Sequence, residues 1–137
     1  MGYRFLEHMT DAYIEADGNT LEEAFENAAK GLVDTMIDRE SIEIKERLII
    51  SVKGDDLEEL LYNWLEEVLL KLSVDRIALK EFKIMIKVDE YKLDADVYGE
   101  RLDIVKHKYK VEIKAVTYHM MEIKKDGKYK VRFLLDL

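Results

Sequence analysis

The stretch Ala12–Met36, AYIEADGNTLEEAFENAAKGLVDTM, decides the fold, because the spacing of its apolar residues changes partway along it. Ala12, Ile14 and Ala16 alternate with Tyr13 and Glu15, the two-residue period of a strand with one buried face. Asp17-Gly18-Asn19 reads as a turn, and Thr20 followed by Glu23 is the capping box that opens a helix. From Leu21 onward, Ala24, Phe25, Ala28, Ala29, Leu32, Val33 and Met36 recur at three- and four-residue intervals. That spacing predicts an amphipathic helix of about four turns.

Upstream, Tyr3–Leu6 is a short regular segment leading into the polar cluster Glu7-His8-Met9-Thr10-Asp11. Downstream, Ile42, Ile44, Leu48, Ile50 and Val52 mostly alternate with charge and end at Gly54, predicting a strand or a strand with a bulge. Asp55 or Asp56 then caps a second helix, whose first turn carries Glu58 and Glu59. Leu57, Leu60, Leu61, Trp64, Leu65, Val68, Leu69 and Leu72 give this helix a broad apolar face, so it is expected to be the more buried of the two, with Trp64 and Phe25 in the core. The rest alternates as strands do: Phe82–Val88, Leu93–Val97, Tyr109–Thr117, Met121 with Ile123, and Tyr129–Leu135 after an Asp126-Gly127 hairpin turn. Two helices among six or so strands predict an α+β fold, a two-layer arrangement of a largely antiparallel sheet with two amphipathic helices on one face. No repeat or linker divides the 137 residues, 48% of them hydrophobic, and a single domain over residues 1–137 is expected.

Composition narrows the function. There are no cysteines, which excludes disulfides, cysteine-ligated zinc and thiol nucleophiles. The 22 basic and 30 acidic residues give a formal charge of −8, which opposes autonomous binding to a polyanion. No strong direct nucleic-acid binding is expected. No apolar run is long enough to span a membrane, and Met1-Gly2-Tyr3-Arg4 does not open a secretory signal, so a cytoplasmic location is expected. The six glycines match neither a phosphate-loop nor a dinucleotide spacing, and no Gly-x-Ser-x-Gly elbow is present.

His8, His107 and His119 make no helical i, i+4 pair, His107 sits among lysines in an expected loop, and hydrogen-bonded or surface roles account for all three better than metal ligation does. Lys106, His107, Lys108 and Lys110 interleave with Tyr109, a pattern compatible with RNA stacking but more simply with a solvated lysine face on a strand. Asp11 follows a polar break at the start of a strand, and Asp136 ends an otherwise apolar one. From the letters alone Asp136 is a solvated acid. Leu137, as the expected bearer of the terminal carboxylate, would add a second oxygen group beside it, and such groups suit calcium, magnesium or manganese.

Phe5-Leu6-Glu7-His8-Met9-Thr10-Asp11, Ala16–Phe25, Gly99-Glu100-Arg101-Leu102-Asp103 with Lys106-His107, Lys114-Ala115-Val116-Thr117-Tyr118-His119 and the penultimate Asp136 resemble, in order and spacing, the archease family. The resemblance implies an accessory factor, not an enzyme, for the GTP-dependent RNA ligase that splices tRNA, promoting its guanylylation and multiple turnover. It also implies a divalent-metal site at Asp11, Asp136 and Leu137, holding calcium, or manganese or magnesium in function. One departure is visible: the family's His-Thr-Ala-Asp stands here as His8-Met9-Thr10-Asp11. The alternatives are a chaperone-like modulator of other RNA-processing enzymes, and a metal-dependent hydrolase with His8 or His119 as base.

Overall fold

The computed structural model describes residues 2–6 and 11–137; Glu7, His8, Met9 and Thr10, and with them the departure from the family pattern, lie outside the described residues. In chain order the elements are β1 (Tyr3–Leu6), β2 (Asp11–Gly18), α1 (Leu21–Met36), β3 (Glu46–Lys53), α2 (Leu57–Ser73), β4 (Ile77–Lys87), β5 (Lys92–Arg101), β6 (Ala115–Asp126) and β7 (Lys128–Asp136). The expected α+β class holds, and every strand pairing is antiparallel. The strands divide between two sheets, one of order β1-β2-β7-β6 and one of order β3-β5-β4.

Both helices start on the same device. The Thr20 hydroxyl accepts from Glu23 N at 3.1 Å while the Glu23 carboxylate accepts from Asn19 N. Asp56 accepts from Glu59 N at 2.8 Å while Glu59 accepts from Asp55 N. Each pair satisfies one first-turn amide, at Glu23 or Glu59, and fixes the amide just before the cap, at Asn19 or Asp55.

The helices lie between the sheets: α1 packs on β1, β2 and β7 of one and β4 of the other, and α2 on β6 of one and β3, β4 and β5 of the other. Each sheet thus has helices on one face. Trp64 and Phe25 are fully buried as expected, and the Trp64 indole donates to the Phe25 carbonyl at 3.0 Å, which satisfies its ring N–H inside the core. Phe82 of β4 meets the indole edge-on.

The expected ranking of the helices is reversed. No residue of α1 is exposed, whereas Glu58, Glu66, Leu70 and Ser73 of α2 are. α1 lies over the central strands β2 and β7, while α2 lies over β6, the edge of its sheet.

Two expected strand segments are also corrected. Ile42 and Ile44 precede β3, following a single 3-10 turn at Arg39–Ser41. Tyr109–Lys114 is irregular because its amides are used elsewhere: Lys110 N donates to Met36 O at the end of α1 and Lys114 N to Asp136 O, both at 2.7 Å. The Asp126-Gly127 hairpin is present, with only Gly127 left-handed (φ 72°). Upstream in β6, Tyr118, His119, Met120 and Met121 together oppose Phe133 alone, since Thr117 pairs with Leu134 and Glu122 with Arg132.

Candidate metal centre

The alternation of β2 turns Ala12, Ile14 and Ala16 inward and therefore sends Asp11, Tyr13 and Glu15 to the outer face of the four-stranded sheet. On the neighbouring β7, Val131, Phe133 and Leu135 point inward and Arg132, Leu134 and Asp136 outward. The register sets Asp11 directly opposite Asp136, Tyr13 opposite Leu134 and Glu15 opposite Arg132. Residues directly opposite in an antiparallel pair project to the same side, so both aspartates share one end of the outer face.

The two ends of this row are balanced differently. Glu15, buried, accepts from Arg4 at 2.9 Å and from Arg132 at 2.8 Å. Burial pushes its carboxyl up, but the two guanidinium partners outweigh that and hold it below the usual carboxylate range. At the other end, Asp11 is half-buried and Asp136 exposed, and among the described residues no ion pair reaches Asp136. Two like charges directly across a ladder repel, a cost that a bound cation would offset.

The fit to a hard divalent ion is therefore good in donor type and incomplete in number. Carboxylate oxygens on one face suit calcium, magnesium or manganese. Among the described residues no group of three His, Asp or Glu side chains is placed to hold a metal. Leu137, half-buried against the core, follows Asp136 directly, and the Lys114 amide fixes this strand end by donating to the Asp136 carbonyl.

The histidines separate. His8 lies outside the described residues, and His119 is exposed in the bulged part of β6. His107 is fully buried: its Nδ1 accepts from Asp103 N at 3.0 Å, so Nε2 carries the hydrogen and donates to Glu100 Oε2, also at 3.0 Å. The hydrogen-bonded reading of this residue is the one observed.

Glu100 and its partners were not legible as a working group, although the Gly99–Asp103 string with Lys106-His107 carried part of the resemblance. Besides His107, the buried Glu100 carboxylate accepts from Glu43 N at 2.7 Å and from Lys106 Nζ at 2.9 Å, with Lys45 Nζ at 3.5 Å. Burial would raise its pKa, but these donors win and pull it down to about 2. The strand-face reading of the basic run is thereby corrected. Lys106 ties to Glu43 and Glu100, and Lys110 Nζ donates to Asp34 O at 2.8 Å. The segment is a loop whose basic residues fasten it to the fold.

The comparisons with known proteins agree along the whole chain. The model of the Archease protein family (MTH1598/TM1083) matches residues 3–137. The chain is 42% identical over 135 residues to Protein archease of Pyrococcus abyssi, covering 96% of this chain and 95% of that protein. It is 34% identical over 137 residues to Protein archease of Danio rerio, covering 98% of this chain and 85% of that protein. The solution structure of Methanobacterium thermoautotrophicum protein 1598 superposes with a TM-score of 0.82 at 36% identity, covering 99% of each chain.

Proposed function

The chain belongs to the archease family, and from that premise we propose that it is an accessory factor that activates the GTP-dependent tRNA-splicing RNA ligase. It promotes guanylylation and repeated turnover of that enzyme, and is not itself the catalyst. The observation that carries this reading is the direct register of Asp11 with Asp136 on one sheet face. A divalent ion there would supply positive charge able to organise phosphate oxygens. Asp11 and Asp136 contribute anionic oxygens from two adjacent strands, and the resemblance adds Leu137 as the remaining protein ligand. The Lys114–Asp136 backbone bond keeps the strand end from fraying.

The charge of −8 supports a protein partner over a nucleic-acid one. An acidic protein competes weakly for tRNA but is steered toward the basic opening of an enzyme that handles RNA. Among the described residues no helix is long and apolar enough to cross a membrane.

The test is a ligation assay at low ligase concentration that follows covalent GMP on the ligase and joined RNA, with and without this protein. Asp11→Ala and Asp136→Ala are each expected to fold normally and to lose most of the stimulation. Full stimulation by either folded variant counts against the site, and phosphoester turnover by the protein alone counts against the accessory role.

A further inference from the structure

A cavity of about 340 Å³ opens between the C-terminal ends of the two helices and the 102–114 loop. Met36, Leu72 and Ile113 give it apolar walls, Tyr109 stands at its side, and Ser73, Glu112 and Lys114 add a polar rim. A wider cleft of about 520 Å³ adjoins it, and Arg76, Leu102 and Ile104 line both. The cleft gathers Lys45, Arg76, Arg101 and Lys106 around Glu100 and Asp103, a local excess of cations on a chain whose net charge is −8. Lys45 and Lys106 are drawn to the Glu100 carboxylate. Among the described residues no ion pair engages Arg76 or Arg101, and both are exposed.

Among the described residues no hydrogen bond or ion pair uses the Arg76 side chain. Its φ is 57°, in the left-handed region that glycine or asparagine occupies with least strain. The structural contact there is made by the backbone, whose carbonyl accepts from Leu102 N at 2.8 Å. A strained position that keeps a long cationic side chain between a cavity with apolar walls and a polar rim and a basic cleft points to a ligand with a flat, hydrogen-bonding part and an anionic part.

We infer that this two-part cleft binds a nucleoside phosphate. The phosphate sits on the guanidinium groups of Arg76 and Arg101, whose forked donors match its oxygens, with Lys45 and Lys106 behind. The base enters the smaller cavity, against Met36, Leu72 and Ile113, with Ser73 and Glu112 at hand for its polar edge. Both volumes lie within the range of about 300–1,000 Å³ usual for small-ligand sites. A polynucleotide is disfavoured by the net charge, which a single nucleotide approaching this opening largely escapes. The inference does not rest on the ligase reading, although Lys114 at the cavity rim is the residue whose amide holds Asp136.

The experiment is calorimetric titration of the isolated protein with a nucleoside monophosphate, its parent nucleoside, orthophosphate and a short oligonucleotide. The monophosphate is expected to bind at least about tenfold more tightly than either half alone, and more weakly as salt rises. Arg76→Gly is expected to lose at least about tenfold in affinity while its Tm stays level or rises, since the backbone strain is relieved. Arg101→Ala, at an exposed strand end, is expected to lose affinity with an unchanged fold. Absence of monophosphate binding, unaltered binding by a folded Arg76→Gly protein, or equal affinity for orthophosphate each overturns the inference. Tighter binding of the oligonucleotide does so as well, in favour of RNA.

Discussion

Glu100 is held ionised inside the protein by three kinds of donor, a backbone amide, a neutral imidazole and a lysine ammonium. Its folded pKa, about 2, lies below the ordinary value of 4.5, so the stabilisation it gives is fully present above pH 4.5 and is lost as pH falls toward 2. Glu100→Gln is expected to cost about 2 kcal/mol at neutral pH, because His107 loses a charged acceptor inside the fold while Lys45 and Lys106 remain solvated. Urea unfolding across that acid range checks the sign: the variant's stability is expected to fall less steeply than that of the wild type. An equally steep fall in both would assign the acid sensitivity to other carboxylates. Asp11 and Asp136 were legible as candidates because the family's string marks them. Glu100 and His107 sat in an equally recognisable string, but Glu43, whose amide completes the group, comes from a distant segment whose approach no local pattern announces.

The β4–β5 pair shows what a single element can demand. The register slips between Leu79 and Glu81, and this irregularity presses the Ala78 carbonyl against Gly99 of β5. A Cβ at position 99 would sit 1.8 Å from that oxygen, a distance only backbone movement can relieve. Gly99→Ala is therefore expected to destabilise by about 3 kcal/mol or more in denaturant unfolding, well beyond an ordinary surface substitution. A loss under about 0.5 kcal/mol would mean that the bulge moves freely. The helix starts could be read in advance because a cap is local: Thr20 with Glu23 lies within one turn, and the choice between Asp55 and Asp56 is resolved by the structure in favour of Asp56, paired with Glu59. The alternation in Ile42–Ile44 and Tyr109–Ile113 misled because any extended segment beside a core shows it. What distinguishes a strand is where its amides go, and those of Lys110 and Lys114 go to the end of α1 and to β7.

Across the whole molecule, the helix pair between two sheets makes one continuous core, and Trp64 sits within it against Phe25 and Phe82. Trp64→Ala is expected to cost about 3–5 kcal/mol in denaturant unfolding, as truncation of a fully buried aromatic does; a loss below about 1 kcal/mol would contradict its central place. The division of strands between two sheets was not legible, since it depends on which distant segments pair. The pairing of β2 with β7 has a kinetic consequence. Its partners are more than a hundred residues apart in the sequence, so closing that ladder carries the entropy of a long loop, and domains rich in such contacts fold slowly. Until residues 128–136 pair with it, β2 has only β1 beside it and one edge open to another chain. The juxtaposition of Asp11 with Asp136 exists only once that ladder has closed, so a cation held by both would report closure of the β2–β7 pairing.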